Sequence, residues 1–241
     1  MAQQSPSRSQ RRFDLALNDL VESQSLRDVV ARVSDHGARA RIFTRDLAQV
    51  EELPSFVGSI CDEFGQLDCL VNNAGVSVLS RGDILDVAPA SFDRCIGVNL
   101  RAQFFLTQAT ARRMAAQADK GRRRSIITVT SVAVDEIIGS ALAEYSISKA
   151  ALSHMVKHFA VRLAPLGIEC YELRPGMMKT SMTGSSRKKY DDLIASGFVA
   201  ANRWGEVHEV AETAASLASG ALRYTVGQVV NVDGGMWLKT F

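Results

Sequence analysis

Two spacings of apolar residues alternate along this chain. The runs F-D-L-A-L-N (13–18), A-R-I-F-T (40–44), Leu67–Val71, Ser125–Thr130, Ile168–Leu173 and Gln228–Val232 are short and read as strands. Between them, Leu26–Ser34, Val50–Phe64, Phe92 to about Ala118, Glu144–Ala164 and Val207–Ala218 carry the helical period. Strands separated by helices imply right-handed crossovers, so an α/β domain with a doubly wound parallel sheet is expected. Ligands of such sheets gather beyond the carboxyl ends of the strands, where Asp46, Asn72, Ser131 and Pro175 stand. Residues 177–203 lack a long regular pattern and lie where a substrate lid is expected. Residues 1–12, M-A-Q-Q-S-P-S-R-S-Q-R-R, read as a disordered tail, leaving 13–241 as one domain.

Composition narrows the function classes. With 241 residues and 46% hydrophobic content, the chain can bury one full core. A net charge of +2 argues against a nucleic-acid partner and against an anionic membrane surface. No apolar run approaches the ~18 residues of a spanning helix, and no signal-peptide core follows Met1. Cys61, Cys69, Cys95 and Cys170 form no C-x-x-C pair and read as buried thiols, which suits a cytoplasmic protein. His154 and His158 stand four apart but lack a third ligand, so no metal site is expected. The run Arg122–Arg124 reads as a solvated loop.

The chemistry concentrates at Y-S-I-S-K. Tyr145 and Lys149 are spaced i, i+4 and share a helix face. A fixed positive charge beside a phenol favours the phenolate and draws its pKa from about 10 toward neutrality. Such a tyrosine can exchange a proton with a carbonyl or alcohol oxygen at working pH. Ser131, fourteen residues earlier, ends an apolar strand and delivers a hydroxyl to the sheet's carboxyl edge.

Further signatures accompany these three residues. N-N-A-G (72–75) follows a strand, Asn99 lies in a helical stretch, R-P-G (174–176) closes a strand with Thr180 beyond it, and D-G-G (233–235) lies near the end. In this order and at these separations the chain resembles the short-chain dehydrogenase/reductase family, most of all its 3-oxoacyl-acyl-carrier-protein reductase-like members. The resemblance spans roughly Phe13 to Trp237. It implies a Rossmann-like fold and hydride transfer between NAD, or NADP, and a ketone or secondary alcohol. A 3-oxoacyl thioester is its default substrate and a sugar or polyol the alternative. It also implies a homodimer or homotetramer built on the helices around 92–118 and 144–164.

The same resemblance implies roles residue by residue. Tyr145 would be the general acid/base, Lys149 would lower its pKa and bond the nicotinamide ribose, Ser131 would hold the substrate oxygen, and Asn99 would support a water path to the lysine. Asn72, Ala74 and Gly75 would pack on the cofactor. Pro175, Gly176 and Thr180 would hold its nicotinamide end, and Asp46 its adenine. Asp19, ending the first strand with Leu20 after it, would accept the adenosine ribose hydroxyls and favour NAD. Asp19 capping the next helix is the simpler structural reading.

One departure stands out. The family begins with a strand, a T-G-x-x-x-G-x-G turn and a helix, whereas residues 1–12 contain neither a Gly-rich loop nor an apolar run. The first strand and the backbone cradle for pyrophosphate are therefore expected to be missing, with a defect or re-pairing at the sheet centre. Either a shortened product of a reductase gene or a cofactor-deficient homologue serving as a structural or binding subunit would account for this.

Overall fold

The computed structural model describes residues 13–117, 121–137, 140–180, 182–222 and 224–238. In chain order the main elements are β1 (Leu15–Asp19), α1 (Gln24–Asp35), β2 (Ala40–Thr44), α2 (Leu53–Phe64), β3 (Cys69–Asn72), α3 (Pro89–Cys95) and α4 (Gln103–Ala116). They continue with β4 (Arg124–Val129), α5 (Ala143–Leu163), β5 (Ile168–Pro175), α6 (Arg187–Ala195), α7 (Val207–Ala218) and β6 (Val229–Val232). Local chemistry sets several of the boundaries. Ser23 caps α1 by accepting from the Leu26 amide, and α2 stops at Gly65, whose φ of 80° ends the helix in a left-handed turn. A reciprocal capping box between Glu206 and Glu209 starts α7.

All strand pairing is parallel, in two blocks. β1 pairs with β2 from Leu15↔Ala40 to Asp19↔Thr44, and a second sheet runs β3-β4-β5-β6. Among the described residues no ladder joins β1 to β3, so the hydrogen bonding is interrupted between the blocks. The tail expected over residues 1–12 lies outside the described residues.

Side chains bridge the interruption. Phe43 of β2, Phe56 and Val57 of α2, Leu70 of β3 and Leu106 of α4 share one apolar cluster. A second cluster joins α4, β4, α5 and β5 through Met114, Ile126, Val156 and Cys170. On the opposite face Ile127, Tyr171 and Leu173 pack against Leu217 of α7. The four-stranded sheet is thus covered on both sides, as its continuous apolar strands require. Burial is uneven, and no residue from Leu15 to Thr44 is fully buried.

Two expectations change in detail. The helical stretch from Phe92 is interrupted, because Ile96–Ala102 between α3 and α4 is π-helical. The segment 177–203 contains α6, whose Tyr190 and Ile194 join Val132, Met177 and Val199 in a cluster beside the strand ends. All four cysteines are free and lie on helices or strands. His154 and His158 face each other edge to face at 5.0 Å, and no group of three metal-binding side chains occurs among the described residues. No helix among those residues is long and apolar enough to cross a membrane.

Candidate active site

The carboxyl ends of β3, β4 and β5 converge on the start of α5. Ser131 follows β4 in extended backbone and caps the short 3-10 turn Val132–Val134, its Oγ accepting from the Ala133 amide at 3.1 Å. The Ser131 hydroxyl stands close enough to the Tyr145 phenol to influence its ionisation. Lys149, one turn along α5, places Nζ 5.9 Å from the centroid of the Tyr145 ring and donates to the Val129 carbonyl at 3.0 Å. Tyr145 and Lys149 share a face of α5, as their i, i+4 spacing suggested, and Ser131 reaches them from the end of β4.

Burial governs the electrostatics of the pair. It pushes the Tyr145 phenol above its ordinary value; the nearby Ser131 hydroxyl pulls the other way, and Tyr190 and Cys95 add to the upward push. Burial lowers Lys149 to about 8. The expected lowering of the phenol by the lysine charge is therefore not what this state shows. Both groups are biased toward their neutral forms, because desolvation penalises phenolate and ammonium alike.

Asn99 lies in the π-helical turn, and its whole amide is engaged. Its Oδ1 accepts from the Val76 amide at 2.8 Å, and its Nδ2 donates to the Val76 carbonyl and to Ser148 Oγ, both at 3.0 Å. It pins the loop after β3 to α5. A Cβ on Gly75 would stand 3.3 Å from Asn99 Oδ1 and 3.6 Å from Lys149 Nζ, so this backbone runs directly past the lysine. The carbonyl of Ala74 accepts from Gln103 Nε2.

The remaining candidates are more dispersed. Asn72 is buried and turned inward, donating to Thr107 Oγ1 at 2.8 Å and Thr128 Oγ1 at 3.3 Å, while its Oδ1 has no partner. Asp19 is exposed, and its Oδ1 accepts from the Leu20 amide at 2.7 Å. Asp46, also exposed, accepts from the Ala48 amide at 2.9 Å. Pro175 pairs with Val232, and the Gly176 amide donates to the Val232 carbonyl at 3.0 Å. Thr180 is held by a hydrogen bond that its backbone amide donates to Thr183 Oγ1 at 3.1 Å.

A matching fold and a matching residue set invite comparison with known proteins. Residues 9–237 match a family model described as "Enoyl-(Acyl carrier protein) reductase". The uncharacterized oxidoreductase YohF of Escherichia coli K12 is 32% identical over 95% of this chain and 88% of its own length. The chain belongs to the short-chain dehydrogenase/reductase family. Another family member, L-rhamnose 1-dehydrogenase (NAD(P)(+)) of Azotobacter vinelandii, is 31% identical over 86% of this chain and 79% of its own. Among solved structures, a 3-oxoacyl-[acyl-carrier protein] reductase from Brucella melitensis in complex with NAD superposes with a TM-score of 0.89 at 38% identity. That match covers 95% of this chain and 89% of the reductase. As a short-chain dehydrogenase/reductase the protein is an enzyme by family, with an α/β Rossmann-like fold.

Some residues of the site escaped the sequence reading. Gln103 and Thr107 are buried polar residues that tie Ala74 and Asn72 to α4. With Asn99 they form a polar series at four-residue spacing inside an apolar helical stretch, and that spacing was a usable signal. Ser148, which hydrogen-bonds Asn99, and Tyr190, which bears electrostatically on Tyr145, carried none.

Proposed function

We propose that the chain transfers a hydride reversibly between NAD and a ketone or secondary alcohol, with Tyr145 as proton donor and acceptor. The observation that carries this reading is the convergence of Ser131, Tyr145 and Lys149 at the strand ends, with Lys149 Nζ 5.9 Å from the Tyr145 ring centroid. A reduced carbonyl oxygen gains charge as hydride arrives, and two convergent hydroxyls are the donors it needs. Tyr145 then supplies the proton and Ser131 steadies the oxygen. Asn99 contributes by fixing the loop after β3 against α5.

The residues present fit a dinucleotide at its nicotinamide half. Lys149 Nζ has one hydrogen bond and three donors, leaving two for ribose hydroxyls. Gly75 leaves open the space beside that amine, and Asn72 Oδ1 is a buried acceptor without a partner. Ala74, Pro175, Gly176 and Thr180 would line the nicotinamide end, Asp46 the adenine and Asp19 the adenosine ribose. When bound, the nicotinamide supplies or accepts the hydride.

A 3-oxoacyl thioester is the first substrate class, in line with relatives named as 3-oxoacyl-[acyl-carrier-protein] reductases. Sugar-derived substrates are the second, supported by the relatives named for L-rhamnose and 2-dehydro-3-deoxy-D-gluconate. A purely structural role has no observation in its favour, since Ser131, Tyr145 and Lys149 assemble. Self-association through exposed Ile147 and Val161 of α5 and Phe104 of α4 is part of this reading.

The test is Tyr145→Phe assayed with both nicotinamide cofactors against 3-oxoacyl thioesters, sugars and polyols. Turnover should fall roughly 10²–10⁴-fold with cofactor affinity and melting temperature preserved. Near-parental rates in the phenylalanine variant would remove Tyr145 from the chemistry.

A further inference from the structure

Glu172 of β5 is one of the most deeply buried charged groups among the described residues, at 1% exposure, and the proton-transfer scheme makes no use of it. Both of its oxygens are engaged. Oε1 accepts from Thr130 Oγ1 and from Arg174 Nε, each at 2.6 Å, and Oε2 accepts from Ser153 Oγ at 2.8 Å. Arg174 continues the network, donating from Nη2 to Ser153 Oγ at 3.1 Å and from Nη1 to Asp135.

The partners occupy telling positions. Thr130 is the residue before Ser131, and Asp135 follows the 3-10 turn that Ser131 caps. Ser153 lies four residues after Lys149 on α5, on the same helical face. A single ion pair on β5 therefore grips the segment bearing Ser131 at both ends, and also grips the helix bearing Tyr145 and Lys149. A buried ion pair is a poor source of stability compared with apolar packing of the same volume. What a fully satisfied network does supply is one fixed geometry.

We propose that Glu172 is a positioning residue: its carboxylate, locked to Arg174, sets the separation of Ser131 from Tyr145 and Lys149. The proposal rests on the hydride-transfer reading above. Comparison of the parent with Tyr145→Phe tests that reading separately.

Glu172→Gln preserves shape and removes the charge. It should lower kcat roughly tenfold or more and weaken NAD(H) by a clearly smaller factor, because the reacting atoms tolerate less misplacement than the ribose contact through Lys149 does. A primary deuterium isotope effect from labelled cofactor should rise as hydride transfer becomes limiting. The paired change Glu172→Leu with Arg174→Met separates geometry from stability. It should restore the melting temperature, because apolar packing replaces the ion pair, and should leave kcat low. Recovery of kcat together with stability would reduce the network to a structural role and overturn the proposal. A readout independent of turnover is the carbon-13 titration of Lys149 Cε, assigned with Lys149→Met. In the parent its midpoint is lowered to about 8, and it should rise in Glu172→Gln as α5 loosens from β4. An unmoved midpoint would show that Glu172 does not hold the helix, and would equally overturn the proposal.

Discussion

At the scale of the residue, Lys149 is an expensive group to bury, and its cost should be visible in stability. Below pH 8 the ammonium is charged in both folded and unfolded chains, and its burial costs roughly 3 kcal/mol for a drop from 10.5 to about 8. Between those values the unfolded chain keeps the proton and the folded chain releases it, so stability should rise with pH across the window. Tyr145, raised above 10.0, acts in the opposite sense, and only as the pH passes that value. Lys149→Met should therefore be more stable than the parent at pH 7 and should lose the rise between pH 8 and 10. Urea melts at several pH values read this directly, and parallel curves for the two proteins would refute the assignment. Asp19 supports a second prediction. One of its oxygens caps Leu20, and the neighbouring Arg45 is paired with Glu52, which competes with a 2′-phosphate for that guanidinium. The ratio of kcat/KM for NAD over NADP should favour NAD in the parent and fall about tenfold or more in Asp19→Ser. An NADP preference in the parent would leave Asp19 as a turn-capping residue only.

At the scale of the element, the layout was legible wherever hydrophobic spacing is unambiguous. The runs around Ile126, Cys170 and Val229 became strands because apolar side chains on both faces of a parallel sheet leave a continuous apolar signature. The π-helical turn at Ile96–Ala102 was not legible, since a seven-residue window cannot distinguish a wider helix from an ordinary one. Helix α6 was missed because R-K-K-Y-D-D-L-I-A is mostly charged and its apolar residues are few. The site divides the same way. Ser131, Tyr145 and Lys149 announced themselves by spacing, whereas Glu172 sat unremarked in a strand because Thr130 and Ser153, which tie it to the site, come from distant segments. At Gly176 element geometry and site meet. A Cβ there would lie 2.7 Å from Asp233 Cα and 2.8 Å from Asp233 Cβ, so β5 passes the turn after β6 at a distance only glycine allows. Gly176→Ala should lose roughly 1–3 kcal/mol through this overlap and should lower kcat/KM as Pro175 shifts. Thermal melts indistinguishable from the parent would show that the Asp233–Gly235 turn gives way freely.

At the scale of the whole molecule, the protein is held together unequally. The block β3-β4-β5-β6 is sandwiched between α4 and α5 on one face and α7 on the other. The block β1-β2 with α1 contains no fully buried residue and is joined to the rest mainly through Phe43, Leu47 and Phe64. Opening that block exposes little apolar surface, so it should open at a lower free energy than the sheet it leans on. Native-state hydrogen exchange should show the ladder amides of Leu17 and Phe43 exchanging by local opening well before those of Ile127, Tyr171 and Leu173. Equal protection in both blocks would mean that the interruption between β1 and β3 carries no mechanical consequence. The same experiment bears on function, because Asp19 ends β1 and Asp46 follows β2. A dinucleotide whose adenosine half rests on those two carboxylates binds only the closed block, and by mass action must slow its exchange. NAD at saturating concentration should therefore raise protection at Leu17 and Phe43 more than at Ile127. A uniform effect, or none, would place the adenosine away from this block and withdraw the roles given to Asp19 and Asp46.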